Sequence, residues 1–194
     1  MLTPRPQSFK IIDEMGVLTI KRRWFNIKHP IMLFFSLFWN GFLVFWYSML
    51  PNLIDEGGKI DYFVSVFYLF PLIHVSVGIG LLYYALCGFF NHTSVVVERD
   101  KVLVRTGPLP WPGNRTLTSR EVKQFYTQEV VSYTKNGYPT VSYKVNAILR
   151  NNSKVVFVQG LAAKDEGLFL ERTLEERLFI RNESVEGEVV KGST

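Results

Sequence analysis

The sequence predicts a membrane α-helical hairpin of two transmembrane helices, joined to an antiparallel β domain that ends in one α-helix. Three patterns predict it. Residues 31–50 and 62–90 contain no charged side chain. From His92 onward apolar residues recur with period two, and after Gly160 they recur with the helical period. Phe, Tyr and Trp make up 15% of the 194 residues, and the excess sits in the two uncharged stretches.

The N-terminal segment, residues 1–25, reads as a β-hairpin. Residues 9–13 and 17–23 flank Glu14-Met15-Gly16, a turn, and an isolated two-stranded hairpin is marginal in water, so it is expected to pack against the later strands. No apolar run precedes a small-residue cleavage site after Met1, which argues against a removable secretory signal.

The helical hairpin is assigned to residues 26–91, with spans at about 31–50 and 63–90. The first lies between Pro30 and Pro51, and twenty helical residues rise about 30 Å, the thickness of a bilayer's hydrocarbon core. The second is longer than a span requires and contains Pro71, which predicts one kinked helix. Flanking charge sets the orientation. Six basic and two acidic residues precede the first span, a net of +4, whereas the loop between the spans holds Lys59 against Asp55, Glu56 and Asp61, a net of −2. Basic flanks stay inside, so both termini are expected to be cytoplasmic. Much of the overall +5 is then a topology signal, and nucleic acid is not an expected partner.

The β domain is assigned to residues 92–181. Residues 94–98 and 101–106 form a hairpin about Arg99-Asp100, and 122–134 is a long strand before the turn Asn136-Gly137-Tyr138-Pro139. Residues 140–150 alternate cleanly, and 154–159 form a further strand after Asn151-Asn152-Ser153. Leu170, Leu174 and Leu178 make the apolar stripe of a final helix. Its carboxylates Glu166, Glu171, Glu175 and Glu176 interleave with Arg172 and Arg177 and read as a solvated face. The polar tail, residues 182–194, is expected to be disordered.

Antiparallel strands closed by one C-terminal amphipathic helix give the layout of a pleckstrin-homology-like (PH-like) barrel. The two-span hairpin followed by the run from Val102 to Arg115, with Gly107-Pro108-Leu109-Pro110-Trp111-Pro112-Gly113 at its heart, resembles uncharacterised bacterial membrane proteins with a PH-like cytoplasmic domain. The run Val122-Lys123-Gln124-Phe125-Tyr126 adds to that similarity. More distantly, the architecture resembles the photosystem I assembly protein family of cyanobacteria and chloroplasts. These resemblances imply a bacterial-type cytoplasmic membrane or a thylakoid, and an assembly or interaction role.

Among residues able to carry function, Trp111 sits in a stiff loop with three prolines and two glycines in nine residues. It is read as a membrane-interface or partner contact, against the alternative that it folds back onto the barrel. Arg99, Lys101, Arg105, Arg115 and Arg120 are read as a basic surface for anionic headgroups, or else as solvated charges guarding strand edges. His74 lies inside the second span, where a polar group often marks function. It is either a cofactor ligand or a packed imidazole bonded to Asn40 or Ser36. With one cysteine, Cys87, the chain can build neither an intrachain disulfide nor a cysteine-based metal site. All three histidines lie in or beside the spans, and no phosphate loop or zinc-protease helix occurs. The chain therefore reads as a non-enzymatic interaction or assembly module without cofactor or small-molecule substrate, whose partners are the bilayer and a membrane protein. Anionic-lipid sensing is the alternative, and a cofactor-binding accessory role through His74 the weaker one.

Overall fold

A computed structural model describes residues 6–53, 62–133 and 136–189. In chain order the elements are β1 (Phe9–Glu14), β2 (Val17–Arg23), α1 (Lys28–Met49), α2 (Tyr62–Leu69), α3 (Leu72–Phe90), β3 (His92–Val97) and β4 (Lys101–Gly107). There follow β5 (Arg115–Thr118), β6 (Val122–Tyr133), β7 (Pro139–Leu149), β8 (Lys154–Leu161) and α4 (Lys164–Leu178). They form two compact units, Met1–Arg23 with His92–Thr194 and Trp24–Asn91. The acidic loop residues Asp55, Glu56, Lys59 and Asp61 lie outside the described residues.

In the β unit, two antiparallel sheets have the orders β1-β2-β3-β4-β5 and β6-β7-β8. The N-terminal hairpin is therefore part of the larger sheet rather than a separate segment. β2 pairs with β3 from Leu18↔Val97 to Arg23↔His92, so the whole helical unit is an insertion between two neighbouring strands. Alternate residues of each strand point inward. Ile20, Val95, Val102, Val104 and Leu117 from one sheet meet Phe125, Val145, Ala147 and Phe157 from the other, closed by Leu170 and Leu174 of α4. Each such Val, Ile, Leu or Phe side chain, fully buried, contributes roughly 1.5–3 kcal/mol. Phe9 stacks at 5.8 Å from Phe169, and Asp13 pairs with Arg177 at 3.0 Å, which fastens the N-terminal hairpin to the C-terminal helix. The four-residue strand β5 went unpredicted because it is too short to display a period.

The tail differs from expectation as far as Val189. Asn182 donates its side-chain amide to Glu175 at 2.7 Å, Gln124 donates to the carbonyl of Glu183, and the Val189 N–H reaches the Thr127 carbonyl at 2.9 Å. Residues 182–189 thus bond to β6 and α4, since β6 is an edge strand whose outward backbone groups need partners. Composition shows polarity, but not the edge that polarity will meet.

In the helical unit, α1 packs along α3. Both apolar helical stretches, Lys28–Met49 and Ser65–Phe90, are long enough to cross a membrane, and only 11% of the most apolar window of each is buried within the protein. The second stretch is not one continuous helix. It breaks at Pro71 into α2 and α3. Proline has no N–H to offer the carbonyl four residues earlier, and its ring obstructs the turn. The carbonyl four residues before Pro71 is that of Phe67, and Tyr68 follows it. The adjacent α1 residues Trp46 and Tyr47 supply donors to them, with Trp46 Nε1 at 3.5 Å from Phe67 O and the Tyr47 hydroxyl at 3.0 Å from Tyr68 O. Nearer the other end, Trp39 Nε1 donates to the His74 carbonyl at 3.3 Å and Asn40 Nδ2 to the Gly78 carbonyl at 3.0 Å. Gly88 allows the closest approach of all, because a Cβ there would lie 1.8 Å from the ring of His29.

If Trp46 is there to serve the carbonyl that Pro71 orphans, the two residues are energetically coupled. Trp46→Phe should destabilise the hairpin by about 0.5–1.5 kcal/mol, and most of that loss should vanish in a Pro71→Ala background. Reversible unfolding of the four variants of this cycle in detergent checks the coupling. Equal losses in both backgrounds would refute it.

Candidate functional site

Register decides which of the sequence-predicted site residues come together. His92 pairs with Gly107, and Arg23 pairs with His92, so the Gly107–Arg115 connection lies at the sheet end where the chain leaves for and returns from the helical unit. At the opposite end, the turns at residues 98–101 and 118–122 are joined by the Ser119 N–H, which donates to the Asp100 carbonyl at 2.8 Å. Arg99, Lys101 and Arg120 belong to that second end. Arg105 and Arg115 belong to the first. Lys101 and Arg105 are four strand steps apart, roughly 13 Å at the usual rise. The five cations therefore do not form one patch. Lys101 is already paired with Glu98 at 3.1 Å, and the Arg120 carbonyl accepts from Arg150 Nε at 2.7 Å.

Trp111 is half-buried and stands outside the hydrophobic core. Its loop starts with a cis Gly107–Pro108 bond and closes where Asn114 Oδ1 accepts from the Thr106 N–H at 2.7 Å. Gly113, at φ 108°, makes a bend that a side chain would strain. The Thr106–Asn114 bond thus clamps the loop across its neck, with an indole between.

His74 is sandwiched between Phe70 and Trp39, with ring centroids at 5.2 and 5.8 Å. It does not bond Asn40 as anticipated, because that amide is taken up by the carbonyls of Ser36, at 2.7 Å, and Gly78. Ser36 likewise turns its hydroxyl to the Leu33 carbonyl at 2.9 Å. Among the described residues, no group of three or more His, Cys, Asp or Glu side chains is placed to share a metal ion.

Sequence reasoning missed the carboxylates of α4. Glu176 does make the expected exposed pair, with Arg172 at 2.7 Å, but Glu166, Glu171 and Glu175 are buried. Glu171 and Glu175 are one helical turn apart and face the outer edge of β6. Glu171 Oε2 accepts from the Thr127 N–H at 2.6 Å and Glu175 Oε1 from the Phe125 N–H at 3.3 Å. Alternate N–H groups of an edge strand point away from its neighbour, so two carboxylates at i, i+4 match two N–H groups at i, i+2. Gly167 makes room on the same face, since a Cβ there would lie 2.4 Å from Thr127 Cγ2. This arrangement is structural: it seals a strand.

Glu166 does the same for the connection between β8 and α4. It accepts from the Ala162 N–H at 2.9 Å and faces Arg22 of β2 at 3.4 Å, while Arg22 also reaches the Gly160 carbonyl at 2.9 Å. Burial pushes its carboxyl up. Hydrogen bonds from Ser8 and the Ala162 and Ala163 N–H groups, with the Arg22 charge, outweigh burial and hold it below the ordinary value. The space between the two sheets offers no room for a ligand here. The cavity lined by Phe9, Ile20, Arg22, Val95, Leu161 and Leu170, among others, holds about 10 Å³, against the several hundred Å³ of a typical small-molecule site.

No known family model matches this chain, and no curated protein matches it.

Because its folded carboxyl is acidified, Glu166 adds stability that is fully present above its ordinary value, near 4.5, and lost as pH falls through the lower folded value. Glu166→Gln should therefore cost about 1–3 kcal/mol at pH 7, with the gap to the parent protein closing in acid below that ordinary value. Denaturant unfolding followed across pH measures it. A gap that stayed constant would mean that shape, not charge, is what the site uses.

Proposed function

We propose that this chain is a two-span membrane protein whose β domain, a PH-like barrel in the cytoplasm, docks a partner protein beside the bilayer without catalysing a reaction. The observation that carries the reading is the insertion of two long apolar helices between register partners of one sheet. So little of their apolar surface is covered by the protein that water would be a poor solvent for them, whereas hydrocarbon would be a good one. The charge asymmetry of the flanks, +4 ahead of the first helix and −2 between the two, supports placing both termini in the cytoplasm.

The docking surface in this reading is the clamped Trp111 loop. It lies at the sheet end from which the helical unit departs, so a partner reading it is held close to the bilayer. A rigid, half-buried indole is a good anchor because little conformational freedom is lost when it is covered. Scatter of the five cations over both ends of the sheet favours this reading over headgroup sensing by those residues.

Purification of the tagged, natively expressed chain in mild detergent should return a stoichiometric membrane protein partner. Trp111→Ala should weaken that association about tenfold or more, with the chain still folded by circular dichroism. Recovery of a single, partner-free chain from the parent protein would end the docking hypothesis.

A further inference from the structure

Register gathers positive charge on the outer face of the five-stranded sheet. Residues directly opposite one another in paired strands share a face, and successive residues alternate between faces. Ile11, Ile20, Val95 and Val104 form one cross-strand row and pack in the core. The adjacent row, Lys10↔Lys21↔Ser94↔Arg105, therefore faces outward. Arg23, two residues beyond Lys21, shares that face and lies opposite His92. Lys10, Arg23 and Arg105 are exposed and Lys21 is half-buried. Like charges directly opposite on neighbouring strands destabilise a sheet, yet Lys10 stands against Lys21. Among the described residues none of these four cations takes part in an ion pair. Arg22, which meets Glu166, belongs to the inward row of Phe9 and Thr93. The carboxylates of the outer face, Glu14 and Glu98, lie at its other end, four strand steps or roughly 13 Å from the row, and Glu98 is taken by Lys101.

Four cations without a counter-charge fit an anionic surface. Their repulsion disfavours a second copy of this chain laid on the same face. Position separates a bilayer from a soluble acidic partner. Arg23 and His92 form the rung at which the chain leaves for α1 and returns from α3, and residues 24–27 alone separate Arg23 from α1. That connection spans roughly 18 Å even when fully extended, so the row cannot leave the neighbourhood of the helix start. Beside an anionic leaflet each lysine or arginine favours contact about fivefold. We infer that Lys10, Lys21, Arg23 and Arg105 form a contact for the headgroup phosphates of an anionic leaflet. This inference rests on the two-span reading and does not use the Trp111 loop. Of the five cations discussed above it uses Arg105 alone.

The test uses the full chain in a Cys87→Ala background, reconstituted in nanodiscs of phosphatidylcholine with or without phosphatidylglycerol. A fluorophore at Thr19→Cys, on the outer face two residues from Lys21, is read against lipid spin-labelled at the headgroup. Met15→Cys on the exposed β1–β2 turn is the wet reference. Val44→Cys on α1, read against lipid spin-labelled in the acyl chain, is the lipid reference. The Thr19 probe should be quenched in anionic discs, less so in neutral ones, and released by high salt, while the Met15 probe is not quenched. Lys21→Ala should lower the ratio of contacting to free domains in anionic discs about fivefold, whereas Lys101→Ala at the far end should leave it unchanged. Quenching equal in neutral and anionic discs, or resistant to salt, would overturn the inference. So would equal losses in Lys21→Ala and Lys101→Ala, because net charge and not the row would then be at work. A photocrosslinker at Thr19 that captures an acidic protein and no lipid in native membranes would overturn it in favour of a protein partner. A Val44 probe left unquenched would overturn the two-span reading, and this inference with it, whereas a quenched Val44 beside an unquenched Thr19 probe would overturn the row alone.

Discussion

Pro71 takes one N–H out of the second helical stretch, the one that would have faced the Phe67 carbonyl. In a hydrocarbon environment an unpaired carbonyl costs several kcal/mol, so the break is tolerable only where donors are brought to it. Trp46 and Tyr47 bring them, and because they are consecutive they serve consecutive carbonyls. That requirement dictates the alignment of α1 against the second stretch. Sliding α1 by one residue would carry both donors away from their acceptors. Asn40 over Gly78 and Trp39 over His74 repeat the pattern further along the helix pair, which is therefore aligned by side-chain-to-backbone bonds rather than by apolar packing alone.

The β unit meets the same constraint in the opposite sense. There the orphans include N–H groups, on the outer edge of β6, and the answer is a pair of carboxylates on α4. Burying Glu171 and Glu175 costs desolvation, which their hydrogen bonds must offset. What the arrangement secures is geometry: the helix meets the strand at one position and one rotation, and the edge cannot recruit a foreign strand. The tail completes the seal where the Val189 N–H meets the Thr127 carbonyl. Further along, residues 130–133 of β6 pass beyond the sheet that β8 supports, and there the apolar residues are exposed.

Much of this was legible in the sequence, and the reason differs from element to element. The two apolar stretches are plain because the absence of charge over such lengths has few explanations. Strands β3, β4, β6 and β7 follow from alternation, and the β1–β2 hairpin from the turn at Met15-Gly16, where φ is positive at both residues. The buried glutamates were illegible for a physical reason. Spacing of i, i+4 with interleaved arginines describes an exposed salt-bridged face and a strand-sealing face equally well. A signal did exist: Glu171 and Glu175 directly follow Leu170 and Leu174, so they share the flank of the core stripe and not the far side of the helix. For the site, sequence picked out the clamped Trp111 loop as an unusual segment, but scattered the five cations along one strand pair without showing that register sends them to opposite ends. His74 was legible as a polar residue inside an uncharged stretch; that Asn40 and Ser36 have other partners was not.

The helical unit is inserted in sequence between two paired strands, β2 and β3. Arg23 and His92 face each other in register, and the next residues out, Trp24 and Asn91, are bonded through the Trp24 N–H and the Asn91 carbonyl at 3.2 Å. Two antiparallel strands thus continue by one more rung before the helices begin. Since the Trp111 loop leaves the sheet at Gly107, the register partner of His92, it hangs from the rung next to that exit.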